Sequence, residues 1–321
     1  MSDSPRRPSL RRRLGNLGAR LGSAVLQAAV RVLPWRRLAI PGNLLGDFLF
    51  FVLRARRRHM DENLRTAFGD RRTPAERRRL ARASQRSLAR TILEFLKSPG
   101  LSDEDLREIV SFEGRERFDA AMAQGRGVLL LGAHYGNWEL IGALCARSGY
   151  AVSVIARDYD DDYTARLMRR AREANGLKVL QRENVAAALR CLRRGEALGI
   201  LPDQNVTKGG ILVPFFGRLA TTAPGPALFA SRTGAVVLPV FGIRQDDGRI
   251  VVRFGQPIPM MDTGDRDADV HANTRRMAEA IEGIILERPE QWLWMHRRWK
   301  SAPDGDEPAA MGEREAARVA S

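Results

Sequence analysis

The chain has 321 residues, 44% of them hydrophobic and 28% charged, which is enough apolar material for one large domain or two modest ones and excludes a disordered polymer. Its formal net charge of +15 attracts polyanions, whether nucleic acid, anionic lipid headgroups, phosphorylated substrates or an acidic carrier protein, without choosing among them. The two cysteines, Cys145 and Cys191, lie in helical patterns with no metal-like neighbours, so a disulfide scaffold is excluded and two small buried residues in a reducing compartment are expected.

In chain order, residues 1–20 carry six arginines (Arg6, Arg7, Arg11, Arg12, Arg13 and Arg20) against Asp3, and read as a flexible basic arm. Two apolar stretches follow. Residues 21–33 are interrupted by Arg31 and closed by Pro34; residues 44–53 contain Asp47 and run into Arg54, Arg56, Arg57 and Arg58. Both fall short of the roughly 20 apolar residues of a comfortable membrane span. They suit an interfacial position, with arginines at anionic headgroups, as well as they suit the core of a soluble protein; a tilted, marginal span is a third reading. No signal cleavage site follows them, so a body facing the cytosol is expected.

Residues 59–110 keep a helical period, with Thr73-Pro74-Ala75-Glu76 as a capping box and Pro at the first helical position. From about residue 111 the pattern alternates. Val128-Leu129-Leu130-Leu131 is a short apolar run of the kind a strand buried on both faces shows, and a helix starts near Asn137. Strands are expected at 151–156, 197–201, 235–241 and 250–254, and helices at 161–174, 184–194 and 271–286. This is an α/β pattern: a mixed, mainly parallel sheet covered by helices, preceded by a helical membrane-associating segment. The expected division is a basic arm (1–20), the helical segment (21–110), the α/β core (111–300) and a disordered tail (301–321).

Reactive groups gather beyond the carboxyl ends of strands in such sheets. The first buried run ends in Gly132-Ala133-His134-Tyr135-Gly136-Asn137-Trp138-Glu139, placing His134 at the strand exit and Glu139 in the first turn of the next helix. Across that corner the acid can fold back on the imidazole, fix its tautomer and stabilise the imidazolium, leaving the other ring nitrogen to take a proton. By spacing alone, a cap or a structural hydrogen bond is the commoner explanation of such a pair and stands ahead of the catalytic one. Arg169, Arg170 and Arg172 form a basic cluster on the helix over 161–174, with Arg172 a candidate phosphate ligand and the others a solvated face.

The run from Gly127 to Glu139 strongly resembles the first motif of the bacterial lipid A biosynthesis acyltransferases, a branch of the glycerolipid acyltransferase superfamily with an H-x-x-x-x-D/E signature. Leu201-Pro202-Asp203-Gln204 resembles the family's D-Q motif, and Val213-Pro214-Phe215-Phe216-Gly217 with Thr221-Thr222 its P-F-F-G segment. The run from Pro289 to Trp299 resembles its C-terminal signature; together the motifs cover roughly residues 40–300 in order. The resemblance implies transfer of a fatty acyl group from an acyl carrier protein thioester to a hydroxyl of a phosphorylated lipid A precursor, without metal or cofactor, at the cytoplasmic face of the inner membrane.

It further implies His134 as general base with Glu139 as its orienting partner, Arg157 as a substrate-binding arginine, and Asp203 and Gln204 as residues shaping the site. Gly136 and Asn137 are candidate oxyanion donors. Family members commonly open with a clear spanning helix, whereas here that region is short and broken by Arg31, which points to peripheral or monotopic attachment. Trp292, Trp294, His296 and Trp299 read as a packed C-terminal closure or an interfacial aromatic patch. Two other readings stand beside this one: the same chemistry on another lipid hydroxyl, such as a lysophospholipid, and a non-catalytic basic membrane- or nucleic-acid-binding protein. No nucleic-acid motif is present, so no nucleic-acid partner is expected.

Overall fold

A computed structural model describes Gly22 and residues 25–156 and 163–302. The basic arm, Arg157 and the expected tail beyond residue 302 lie outside the described residues. Among those described, seven strands form one sheet in the order β1-β9-β8-β2-β5-β3-β4. They are β1 (Val110–Glu113), β2 (Val128–Leu131), β3 (Val152–Ala156), β4 (Lys178–Gln181), β5 (Ala197–Ile200), β8 (Val236–Arg244) and β9 (Ile250–Phe254). All neighbours are parallel except β8 and β9, which form an antiparallel pair. The expected mixed, mainly parallel α/β sheet is therefore the fold.

The sheet divides the core in two, and the period of two along each strand shows it. In β2, Leu129 and Leu131 point into one apolar cluster, while Val128 and Leu130 point into the other. The first cluster lies under α9 (Val185–Arg193), α10 (Gly225–Thr233), α11 (Arg266–Glu287) and the C-terminal tryptophans. The second lies under α5 (Asp103–Ile109), α6 (Arg115–Ala123) and α7 (Trp138–Arg147). Beside the sheet, β6 (Ile211–Phe215) and β7 (Arg218–Thr222) make a hairpin. Its two-residue turn, Phe216-Gly217, has positive φ at both positions (53° and 74°), the geometry that matches strand twist. The strained Phe216 is held by its N–H, which donates to Glu282 Oε2 of α11 at 2.6 Å, and by its ring against Phe68 and Trp294.

The N-terminal helices are α1 (residues 25–32), α2 (Ala39–Val52), α3 (Arg54–Phe68) and α4 (Pro74–Lys97). The capping box at Thr73 forms as the sequence predicts. Two glycines let α2 lie close against α4: a Cβ at Gly46 would stand 2.5 Å from the Arg86 Cα, and one at Gly42 2.7 Å from the Arg90 side chain. Asp47, which breaks the apolar run of α2 in sequence, receives paired hydrogen bonds from both Arg82 and Arg86 of α4 at 2.6–2.7 Å. Those two guanidinium groups hold its carboxyl far below the usual carboxylate range. The opposite face of α2 exposes Ile40, Leu44, Phe48, Phe51 and Val52, each at least half accessible. Among the described residues no single helix is long and apolar enough to cross a membrane, although Trp35–Val52 and Arg54–Arg71 reach that length together across a bend of 94°.

Candidate active site

β2 is central, with β8 and β5 as its two neighbours, so the chain leaving it at Gly132 enters a space ringed by other strand ends. The exit corner runs from Ala133 to Asn137, where α7 begins with the Asn137 side chain accepting from Leu140 N–H at 3.1 Å. Gly136 has φ +57°, and a Cβ there would fall 2.0 Å from the Gly242 carbonyl, so only glycine lets the corner pack on β8. Gly136 N–H donates to Gln291 O (2.9 Å), Asn137 N–H to Gly242 O (2.8 Å), and Leu293 N–H to His134 O (3.0 Å).

The loop after β5 brings Asp203 onto this corner from 69 residues away in sequence. Asp203 Oδ1 lies 2.8 Å from His134 Nδ1, and Oδ2 accepts both the His134 main-chain N–H and the Trp292 indole N–H at 2.8 Å. The Asp203 side chain is 1% exposed and that of His134 22%, so the acid is sealed in while the imidazole keeps an open edge. Burial pushes the Asp203 carboxyl up, but the imidazole's charge and hydrogen bond, with the Trp292 and main-chain donors, outweigh it and hold the group at about 2. At His134 burial disfavours the charged ring, yet the Asp203 charge and hydrogen bond, joined by Glu139, keep its pKa above the ordinary imidazole value. An ionised Asp203 accepting at Nδ1 requires the proton there, so Nε2 carries the lone pair. The Gln204 amide nitrogen stands 3.4 Å from that Nε2.

Glu139 is not the partner the motif spacing suggested. Its carboxylate is 7% exposed and is held by Arg172 of α8 (Tyr163–Ala174), Nε to Oε2 at 3.0 Å and Nη2 to Oε1 at 2.6 Å. The physical reason is the corner itself: α7 starts one residue before Glu139 and turns its side chain toward α8, while the neighbouring strand end supplies a nearer acid. Arg172, expected as a phosphate ligand, is thus engaged by Glu139 and lies over the Phe95 ring. The oxyanion roles expected of Gly136 and Asn137 are also corrected. Both backbone N–H groups are committed as given above, and the Asn137 amide donates to Glu94 Oε2 at 2.8 Å. Arg157 lies outside the described residues.

Beside the pair opens a cleft of about 590 Å³ including its mouth, walled by Ile141, Val152, Val154, Leu177 and Ile200, with Trp138, Glu139 and Arg172 at its polar part. Trp138 also meets the His134 ring edge-on at 5.4 Å, which joins the cleft to the imidazole. The C-terminal tryptophans close the core rather than forming a surface patch: Trp292 and Trp294 are buried, and Trp299 is 8% exposed. His296 is kept neutral by burial, at about 4, and accepts from Asn205 N–H at 3.0 Å. Both cysteines are buried, and burial pushes Cys145 up to about 12 and Cys191 to about 11, which disqualifies them as nucleophiles. Among the described residues no three His, Cys, Asp or Glu side chains converge as a metal site would.

Sequence reasoning missed a second buried cluster behind the corner. Glu94 of α4 forms a paired salt bridge with Arg244 at the end of β8 (3.0 and 2.6 Å), and Arg244 also donates to Ser87 and Thr91 hydroxyls. Both charges are about 4% exposed; removing one partner of such a pair costs about 3–5 kcal/mol. The one available signal was two polar residues, Thr91 and Glu94, on the apolar face of a helix.

A buried carboxylate holding one nitrogen of a partly exposed imidazole, with an apolar cleft reached past Trp138, is an arrangement that can fix the ring's tautomer and support proton transfer. The chain matches the family model for bacterial lipid A biosynthesis acyltransferase over residues 7–301, and belongs to that family. It is similar to the lipid A biosynthesis palmitoleoyltransferase of Escherichia coli (strain K12), 28% identical over 280 residues, covering 85% of this chain and 88% of that one. It is similar also to the lipid A biosynthesis lauroyltransferase of the same organism, 25% identical over 290 residues (89% and 92%). A phosphatidylinositol mannoside acyltransferase of Mycolicibacterium smegmatis (strain ATCC 700084 / mc(2)155) is 26% identical over 239 residues (73% and 76%). The chain is accordingly an acyltransferase of lipid A or a related glycolipid.

Proposed function

We propose that the protein transfers a fatty acyl group from an acyl carrier protein thioester to a hydroxyl of a phosphorylated lipid A precursor, with His134 as general base and Asp203 as its orienting acid. The observation that carries this is the 2.8 Å contact between Asp203 Oδ1 and Nδ1 of a partly exposed His134 ring, whose Nε2 lies 3.4 Å from the Gln204 amide nitrogen. In the forward step Nε2 takes the proton of the acceptor hydroxyl as its oxygen attacks the thioester carbon. The tetrahedral intermediate then expels the carrier thiolate, which receives the proton back from the imidazolium. Asp203 stabilises that cation without being protonated itself. The Gln204 amide, beside Nε2, orients the hydroxyl or the carbonyl oxygen, and the apolar cleft takes the acyl chain. Arg157 contributes a positive charge toward the substrate phosphate.

An acidic carrier protein suits a chain of net charge +15. Attachment to the anionic cytoplasmic face of the inner membrane, peripheral or monotopic, is supported by the exposed apolar stripe of α2 and the arginines that follow it at 54–58. A second acceptor class, a phosphatidylinositol mannoside, is favoured by the similarity to the mycobacterial enzyme over 73% of the chain.

The test is purified protein with acyl carrier protein thioester and each acceptor, the product being weighed by mass spectrometry. One added fatty acyl group on the lipid A precursor, lost in His134→Ala, is the expected result. Transfer only to the mannoside moves the acceptor, and undiminished transfer by the alanine variant removes His134 as base.

A further inference from the structure

We infer that Thr91 and Glu94, on the inner face of α4, are positioning residues that fix the His134–Asn137 corner for acyl transfer. The inference rests on the reading of His134 as the base. The Thr91 hydroxyl donates to the Gly136 carbonyl at 2.7 Å, and Glu94 Oε2 accepts from the Asn137 amide at 2.8 Å. Thr91 is 1% exposed and Asn137 is fully buried, so neither bond competes with water. Gly136 and Asn137 follow His134 by two and three residues. Their N–H groups are already tied to Gln291 and Gly242, and α4 ties the carbonyl of one and the side chain of the other.

The corner is therefore held at the Gly136 and Asn137 N–H groups by the C-terminal segment and β8, and at the Gly136 carbonyl and the Asn137 amide nitrogen by α4. Glycine at 136 is the reason such bracing has work to do, because its backbone has the widest freedom of any residue. A peptide rotation at 136 would disturb the His134 main-chain N–H and ring where they meet Asp203. Glu94 is itself locked by Arg244, which also donates to the Thr91 hydroxyl at 2.9 Å, so that hydroxyl has one rotor position left and points its proton at Gly136. An apolar layer of the same volume would pack at least as stably. What the charged layer adds is a single arrangement of the corner.

Three variants test this in the full-length protein, with kcat, KM for both substrates and a thermal melt for each. Thr91→Val keeps the shape and removes the donor; kcat is expected to fall about tenfold to a hundredfold, the effect of a misplaced catalytic group, with KM changed less than about twofold. Thr91→Ser returns the hydroxyl and is expected to recover most of kcat. Glu94→Asp keeps a charge opposite Arg244 but withdraws it from Asn137, and is expected to lower kcat in the same way; it decides the matter if Thr91→Val does not fold. A folded Thr91→Val or Glu94→Asp protein with parental kcat, or a serine variant no better than the valine one, overturns the inference. His134→Ala separates the two levels: if it stays active the base reading falls, whereas an inactive His134→Ala beside a fully active Thr91→Val removes the positioning role alone.

Discussion

The two faces of α4 support surfaces of opposite character. Toward the sheet, Thr91 and Glu94 hold a corner in which every polar group described above has a partner within hydrogen-bonding distance. Away from it, Arg82 and Arg86 clamp Asp47 of α2, and α2 turns outward a stripe of large apolar side chains that stay at least half exposed. Buried polar groups demand partners inside the molecule, and the corner finds them for the groups named above, though not for the Tyr135 hydroxyl. Exposed apolar groups demand a partner outside it, and a contiguous stripe of them marks a contact surface. One helix thus braces the buried corner on one side and the helix that carries the exposed stripe on the other.

The sharpest way to break the first half of this comparison is Asp203→Asn. The variant keeps the shape and removes the charge at His134 Nδ1, and kcat is expected to fall by roughly 10²- to 10⁴-fold, as when the orienting acid of a relay is neutralised. The pH profile supplies the sign. His134 must be neutral to accept a proton, so activity rises with pH through its pKa, which Asp203 and Glu139 raise against the opposing effect of burial. In the parent the rise therefore lies above the ordinary imidazole value of about 6.5, and in Asp203→Asn it moves to lower pH. Asp203 itself, at about 2, adds no second limb in any practical assay range. An unshifted limb in the variant would show that the carboxylate does not govern the ring.

Glu139→Gln sharpens the same point with a smaller effect. If Glu139 were the orienting acid, its amide would be as damaging as that of Asp203. Because its oxygens belong to Arg172 and it reaches His134 only through its field, the expected loss is about tenfold in kcat, with a downward shift of the acid limb smaller than that of Asp203→Asn. Equal losses and equal shifts in the two variants would restore Glu139 to the role its spacing suggests.

That reversal shows where the sequence is legible. β2 stands out because four consecutive apolar residues admit one explanation, and His134 stands out because it ends that run. The His134–Asp203 contact is invisible to spacing, since it exists only because β5 lies next to β2, and strand order is a property of the whole sheet. The resemblance at Asp203-Gln204 brought the acid into the site without saying which atom it meets. β1 and β4 escaped because four-residue strands whose residues are mostly exposed carry little pattern, and β6 because Pro214 argues against a strand unless it is part of an isolated hairpin. α11 begins at Arg266 rather than His271, because Asp265 caps the amides of Asp267 and Ala268, a start signal that the apolar pattern alone passes over.

The second half of the comparison is tested within one helix. Phe48 is 62% exposed and Phe50 1%, two residues apart on α2. Phe50 packs in the core, so Phe50→Ser leaves a cavity and a stranded hydroxyl and should lower the melting temperature, with vesicle binding reduced only as the fold is lost. Phe48→Ser removes nothing the folded protein uses, so the melt should not change. If α2 lies on a bilayer, Phe48→Ser forfeits burial in the acyl region of about 1 kcal/mol for a partly inserted ring. Binding to vesicles containing anionic lipid should then weaken about fivefold, and by a similar further factor when Leu44→Ser is added, 1.4 kcal/mol being a factor of ten. Vesicle binding by the double variant equal to that of the parent would mean that the stripe faces something other than lipid, and that the arginines alone hold the protein at the surface.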